Sequence, residues 1–133
     1  MSETKYLHSE ITKQILRIFY CIYNNLGCGF DKSMYIKAMI IELRKSELQC
    51  EAYKNIPIFY QANDLGDIIV DIVVENRVLL KIETKEKIDT DSNRILYNFL
   101  HACDLEVGLL LNFGKMPEQK RKYCDNATKQ NLS

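Results

Sequence analysis

The chain has 133 residues, and its 18 Lys and Arg balance its 18 Asp and Glu. A hydrophobic fraction of 47% is enough for one real core, so a single domain is expected. The zero net charge argues against a basic coat for nucleic acid, although a local basic patch fits inside a neutral total.

No apolar run approaches the roughly 20 residues that span a bilayer. The polar start MSETKYLHSE lacks the apolar centre of a signal peptide. A cytoplasmic protein without membrane partners is therefore expected. Cys21, Cys28, Cys50, Cys103 and Cys124 are scattered and form no CxxC pair. Reduced thiols are expected, and a zinc ribbon is not.

Residues 1–8 read as a flexible N-terminus. Residues 9–26 read as a helix, because Ile11, Ile15, Ile18, Phe19, Ile22 and Leu26 follow one helical face. Ser9 is placed to cap it, and Gly27-Cys28-Gly29 ends it. A second helix is expected from about Lys32 to Ser46, with Asp31 as its cap. Its apolar residues, among them Met34, Tyr35, Ile36, Ala38, Met39, Ile40, Ile41 and Leu43, cover more than one face. Lys32 opposes the helix dipole there, at a cost of about 0.3–1 kcal/mol.

Residues 48–61 read as extended, with Pro57 at a strand start or sheet edge. Ala62–Gly66 reads as a turn. Asp67–Lys85 then reads as two strands joined by a tight turn at Glu75-Asn76. Alternation puts Ile68, Val70, Ile72 and Val74 on one face with Val78, Leu80 and Ile82. The other face carries Asp67, Asp71, Lys81, Glu83 and Lys85. Solvated or mutually paired charges, Asp67 with Lys85 and Asp71 with Lys81, are the expected arrangement.

Asp89–Asp91 is expected to cap a third helix, Ser92–Cys103. Leu105–Phe113 reads as a strand covered on both faces. The remainder, KMPEQKRKYCDNATKQNLS, reads as a polar, locally basic segment. The single domain is expected over 9–127, with 128–133 as a tail. Helix, helix, several strands, helix, strand is an α/β or α+β order with a mixed β-sheet flanked by helices.

LGCGFDKSMY (26–35), LGDIIVDIVVENRVLLKIETKEKI (65–88) and VGLLLNFG (107–114), in this order, resemble the small GxxExxY proteins of the PD-(D/E)XK nuclease superfamily. The likeness runs from about His8 onward, through IELRKSELQCEAYKNIPIFY (41–60) and KRKYCDNA (120–127). It implies a nuclease-like mixed sheet and an ancestral, metal-dependent cleavage of phosphodiesters. Such chemistry needs several carboxylate oxygens around a hard cation and a nearby lysine.

The motif positions depart from the family. Gly29 and Tyr35 match GxxExxY, but its acid is Lys32. Asp71 matches the first-strand acid. The ExK position reads Lys81-Ile82-Glu83, with acid and base exchanged. A helical Gln and Tyr of the family fall at Ile95 and Phe99. The resemblance thus implies a catalytically inactive nuclease fold without a cofactor. Lys32, Tyr35 and Lys81 would be its binding residues, and DNA, RNA, a protein partner or further copies of the chain its partners. The alternative is an active nuclease. Glu83-Thr84-Lys85 would serve as a displaced ExK, and Asp71 and Glu83, with Asp67 in reach, would hold Mg or Mn. Glu83 would then lie diagonal to Asp71, about 7–8 Å away between backbones.

Overall fold

A computed structural model describes residues 7–133. Three α-helices (α1, Ser9–Leu26; α2, Lys32–Lys45; α3, Thr90–Ala102) flank five strands. The strands are β1 (Cys50–Tyr60), β2 (Asn63–Val74), β3 (Val78–Glu83), β4 (Val107–Phe113) and β5 (Pro117–Tyr123), and they line up in sequence order. All neighbours are antiparallel except β3 and β4, which are parallel. A parallel pair needs a crossover, and α3 supplies it. This is the mixed α+β sheet expected from the sequence.

Each face of the sheet has its own core. Ile15, Phe19, Tyr35, Met39 and Leu43 of α1 and α2 pack on Ile72, Val74, Val78, Leu80, Ile82, Leu109, Leu111 and Phe113. Leu96, Leu100 and Cys103, from α3 and its end, pack on Val73, Leu79 and Leu110 from the other side. Because β4 is covered on both faces, its seven residues are all buried. Phe113 is the centre of an aromatic group, stacked on Tyr35 at 4.0 Å and edge-on to Phe19 at 4.9 Å.

The expected flexible start falls mostly outside the described residues. Leu7, within it, packs on the core, and its carbonyl accepts a hydrogen bond from Arg121 at 2.8 Å. Helix α1 has the expected bounds, but His8, not Ser9, is its cap residue, in a left-handed conformation. Asp31 occupies the cap position of α2 without a side-chain capping bond. No helix among the described residues is long and apolar enough to cross a membrane.

Three features of the sheet differ from the sequence reading. The first is the turn between β1 and β2, which lies at Gln61-Ala62, where both residues have positive φ (48° and 64°). Ala62–Gly66 is therefore already largely strand, with a bulge where Ile58 faces Gly66 and Phe59 faces Asp64. Gly66 has φ 111°, a backbone state that side chains resist.

The second is a change of face within the β1–β2 ribbon. Cys50, Ala52, Ile72 and Val74 pack on the α1/α2 side. Ile56, Ile58, Ile68 and Val70, of the same parity, pack on the α3 side. Tyr53, with φ 54°, lies between the two sets, and its pairing with Asp71 drops out of the ladder. The ribbon turns over at that point, so Ile68 and Val70 do not share a face with Ile72 and Val74.

The third is β5, where the sequence suggested only a polar segment. Pro117–Tyr123 pairs along the whole of β4. An edge strand rich in Lys and Arg resists pairing with other chains. Its apolar content is correspondingly low, and so was its signal.

Gly114 follows β4 where the chain passes the loop after β3. A Cβ there would overlap the carbonyl oxygen of Lys85 and crowd that of Glu86. Gly114→Ala is expected to cost about 1–3 kcal/mol by forcing the loop away. Chemical denaturation of wild type and variant measures it, and equal midpoints would contradict the close approach.

Candidate functional site

The hairpin turn at Glu75-Asn76 has positive φ at both residues (54° and 53°), the geometry that matches strand twist. It sets the register Val74↔Val78, Val73↔Leu79 and Ile72↔Leu80. Asp71 is the next residue of β2, at the place where the ribbon turns over. Its Oδ2 accepts a 2.7 Å hydrogen bond from the backbone N–H of Ile82. The carboxylate thus takes over from the ladder as β2 leaves β3.

The other oxygen is also engaged. Lys32 Nζ lies 3.1 Å from Asp71 Oδ1, and the Asp71 side chain is only 16% exposed. Helical geometry points Lys32 inward, towards the face that carries Tyr35, Ile36, Met39 and Leu43. The dipole cost of a lysine in the first turn is offset by this half-buried partner. Lys32, Asp71 and Lys81 line one cleft of about 150 Å³, walled by Ile69 and Phe99.

The exchanged pair on β3 closes on itself. Lys81 Nζ lies 3.2 Å from Glu83 Oε1, with side chains 20% and 12% exposed. Ser92 donates its hydroxyl to the same Glu83 oxygen at 3.1 Å. Lys85 Nζ reaches Ser92 Oγ at 2.7 Å and Asp89 Oδ2 at 3.1 Å. Asp89 Oδ1 caps α3 by accepting from Ser92 N–H at 2.7 Å. A chain of polar contacts therefore runs from β3 to the start of α3.

The expected pairs Asp71 with Lys81 and Asp67 with Lys85 are replaced by Asp71 with Lys32, Lys81 with Glu83 and Lys85 with Asp89. Asp67 is exposed on the β1–β2 ribbon opposite Pro57, four residues before Asp71. Tyr35 is fully buried. Its hydroxyl donates to Gly27 O at 2.6 Å and accepts from Phe30 N–H at 3.3 Å. It thus positions the loop that leads into α2, and its side chain has no open surface for a ligand. Phe99 borders the cleft, whereas Ile95 is 42% exposed.

Asn112 and Glu118 were not singled out in the sequence. Asn112 is fully buried on β4, opposite Glu83. Its Oδ1 accepts from Lys85 N–H and its Nδ2 donates to Lys85 O, both at 2.9 Å. Nδ2 also donates to Glu118 Oε1 at 3.2 Å, and the same oxygen accepts from Ile88 N–H at 3.0 Å. One side chain thus mimics a strand partner for the loop that carries Lys85. The lone amide in the apolar run VGLLLNF was the available signal.

Chemically, Asp71 and Glu83 each meet a lysine and one further hydrogen-bond donor. Among the described residues, no group of three or more His, Cys, Asp and Glu side chains is arranged to hold a metal ion. This donor set falls short of the oxygen ligands that Mg or Mn takes. A more open concavity of about 490 Å³ lies elsewhere, by Arg44, Leu48, Cys50 and Asn76.

The Asp89 carboxyl is held low, at about 2, first by the Ser92 backbone N–H and then by Lys85. The Lys85 ammonium is pushed up, first by its bond to Asp89. A depressed carboxyl contributes stability above its unfolded value, near 4, and loses it as pH falls through about 2. Carboxyl chemical shifts followed by NMR should give Asp89 a midpoint near 2, and Lys85→Met should raise it. An ordinary midpoint in wild type would contradict the cap. Asn112→Leu, which strands the Lys85 backbone groups, should cost about 2–4 kcal/mol and speed hydrogen exchange at Lys85 and Ile88. Unchanged exchange would contradict the anchoring role.

The family model of the PD-(D/E)XK nuclease superfamily matches residues 9–123. No curated protein and no solved structure matches the chain.

Proposed function

The chain belongs to the PD-(D/E)XK nuclease superfamily, and we propose that it is a noncatalytic member that works as a binding or assembly module. One observation carries this reading. Lys32 and Lys81 neutralise Asp71 and Glu83 from within the fold. Cutting a phosphodiester at a metal centre needs uncompensated carboxylate oxygens, because they hold the cation that polarises the phosphate. Two internal ion pairs leave these four side chains with matched charges and no surplus to bind that cation.

The displaced motif Glu83-Thr84-Lys85 does not rescue the chemistry in this reading. Glu83 is committed to Lys81 and Ser92, and Lys85 to Ser92 and Asp89. The polar chain makes the former catalytic strand a structural strut between the sheet and α3. Both lysines of the cleft are already paired with carboxylates, which favours a protein partner over a nucleic acid there, because a polyanion needs uncompensated cations. The nucleic-acid reading rests instead on β5. There Lys120 and Lys122 sit opposite Leu110 and Gly108, the register of the α3 face.

Single-stranded DNA, duplex DNA and RNA incubated with the protein and Mg or Mn should show no metal-dependent cleavage. Asp71→Ala and Glu83→Ala should leave that background unchanged. Metal-dependent cleavage that either substitution abolishes would overturn the reading in favour of an active nuclease. A binding arm with labelled nucleic acid separates the partner classes. Steeply salt-dependent binding that Lys120→Glu with Lys122→Glu removes would make the partner a polyanion.

A further inference from the structure

The outer face of α2 carries an apolar stripe whose two large side chains are not covered by the described residues. Tyr35, Ile36, Met39, Ile40 and Leu43 point into the core. Met34 and Ile41 lie on the opposite side, 51% and 55% exposed. Ala38 is half-buried between them. At 3.6 residues per turn, Met34, Ala38, Ile41 and Lys45 fall within about 60° of arc and form one stripe. Asp31, exposed at the cap position, continues it at the other end.

The stripe is nearly a palindrome with its charges reversed. Its spacing is three, four, three, four, and it reads acid, apolar, alanine, apolar, base. Laid antiparallel on a second copy, Ala38 meets Ala38 and Met34 meets Ile41. Asp31 meets Lys45 at both ends. A small residue at the crossing lets two helices approach closely, and the helix dipoles oppose each other favourably. An unrelated helix would need no such sign-reversed order, so the complementarity points to a second copy.

The neighbouring surface continues the fit. A groove of about 220 Å³ between α1 and α2 is lined by Cys21, Leu26, Ala38 and Ile41. Leu26 is 41% exposed beside it. It offers room for a long apolar side chain such as Met34 from another copy. Asp31 makes no side-chain capping bond, and the Lys45 ion pair among the described residues is a loose one, 3.7 Å from Glu42 with Lys45 itself 70% exposed. Both ends of the stripe are therefore available at little cost. Lys37 lies at the rim, exposed, where its ammonium turns to solvent.

We propose that the chain forms a twofold homodimer through the outer face of α2, with Asp31 of each copy against Lys45 of the other. A closed, isologous contact of this kind is the commonest way for a chain to pair with itself. It also braces α2 from outside while Lys32 ties it to the sheet from within.

Sedimentation equilibrium on the full chain tests this. Wild type should sediment as a dimer at micromolar concentration. Ala38→Arg should be monomeric with an unchanged far-UV circular-dichroism spectrum, and its melt should fall only by what the lost dimer contact supplied. Asp31→Lys and Lys45→Glu should each weaken self-association about tenfold, and the two together should restore it. A wild type that stays monomeric overturns the proposal, even if another protein is found to bind α2. So does a dimer indifferent to Ala38→Arg, or a charge-reversed double variant no tighter than the single ones. None of these outcomes depends on whether the chain cuts nucleic acid.

Discussion

A charge drawn out of water needs an opposite charge or a hydrogen bond, and the centre of this fold is built around that constraint. Asp71 sits where the β1–β2 ribbon turns over and β2 parts from β3. The parting frees the N–H of Ile82, and Asp71 accepts it. Lys32 then compensates the carboxylate. Three elements, α2, β2 and β3, meet at one side chain. In the proposed reading, a lysine of the chain's own helix takes the role that a metal ion would fill at a catalytic carboxylate.

The rest of the polar structure follows outward from this point. Lys81, Glu83, Ser92, Lys85 and Asp89 carry charge compensation from β3 to the start of α3. Asn112 and Glu118 hold the intervening loop to β4 and β5. Gly114 lets that loop pass. The apolar layers give the sheet its two covers, and this polar framework fixes how the covers are connected. Residues that in a nuclease would be kept free for substrate are engaged with one another. In the proposed noncatalytic reading, these charges stabilise the scaffold and are not held in reserve for a reaction.

Much of this was legible in the sequence. The three helices announced themselves by spacing and by Asp89 as a cap, and the hairpin by Val and Ile runs around Glu75-Asn76. Asp71, Lys81 and Glu83 were visible as charges that needed a reason. Their partners were not, because a two-residue alternation says which face a side chain takes but not which helix end will meet it. Lys32 looked unfavourable from its own helix alone and becomes intelligible only with Asp71 beside it. The turn at Gln61-Ala62 carries neither Gly nor Asn, so it left no signal. The change of face at Tyr53 is a tertiary event, and β5 is an edge strand whose pairing is backbone to backbone. Asn112 stood out as a lone amide, but its clamp joins residues 27 positions apart.

The two faces of α2 express the same economy at different depths. Inward, Lys32 settles a charge within one copy, while outward, Asp31 and Lys45 present charges that a second copy settles in the proposed dimer. Whether the central claim holds, that internal lysines have taken the place of a metal, is tested most directly by titrating Mn into labelled protein and following backbone amide broadening. The account predicts that the amides of Asp71, Ile82 and Glu83 broaden no more than those near exposed acids such as Asp67. Selective broadening at Asp71, Ile82 and Glu83 at low Mn would contradict it.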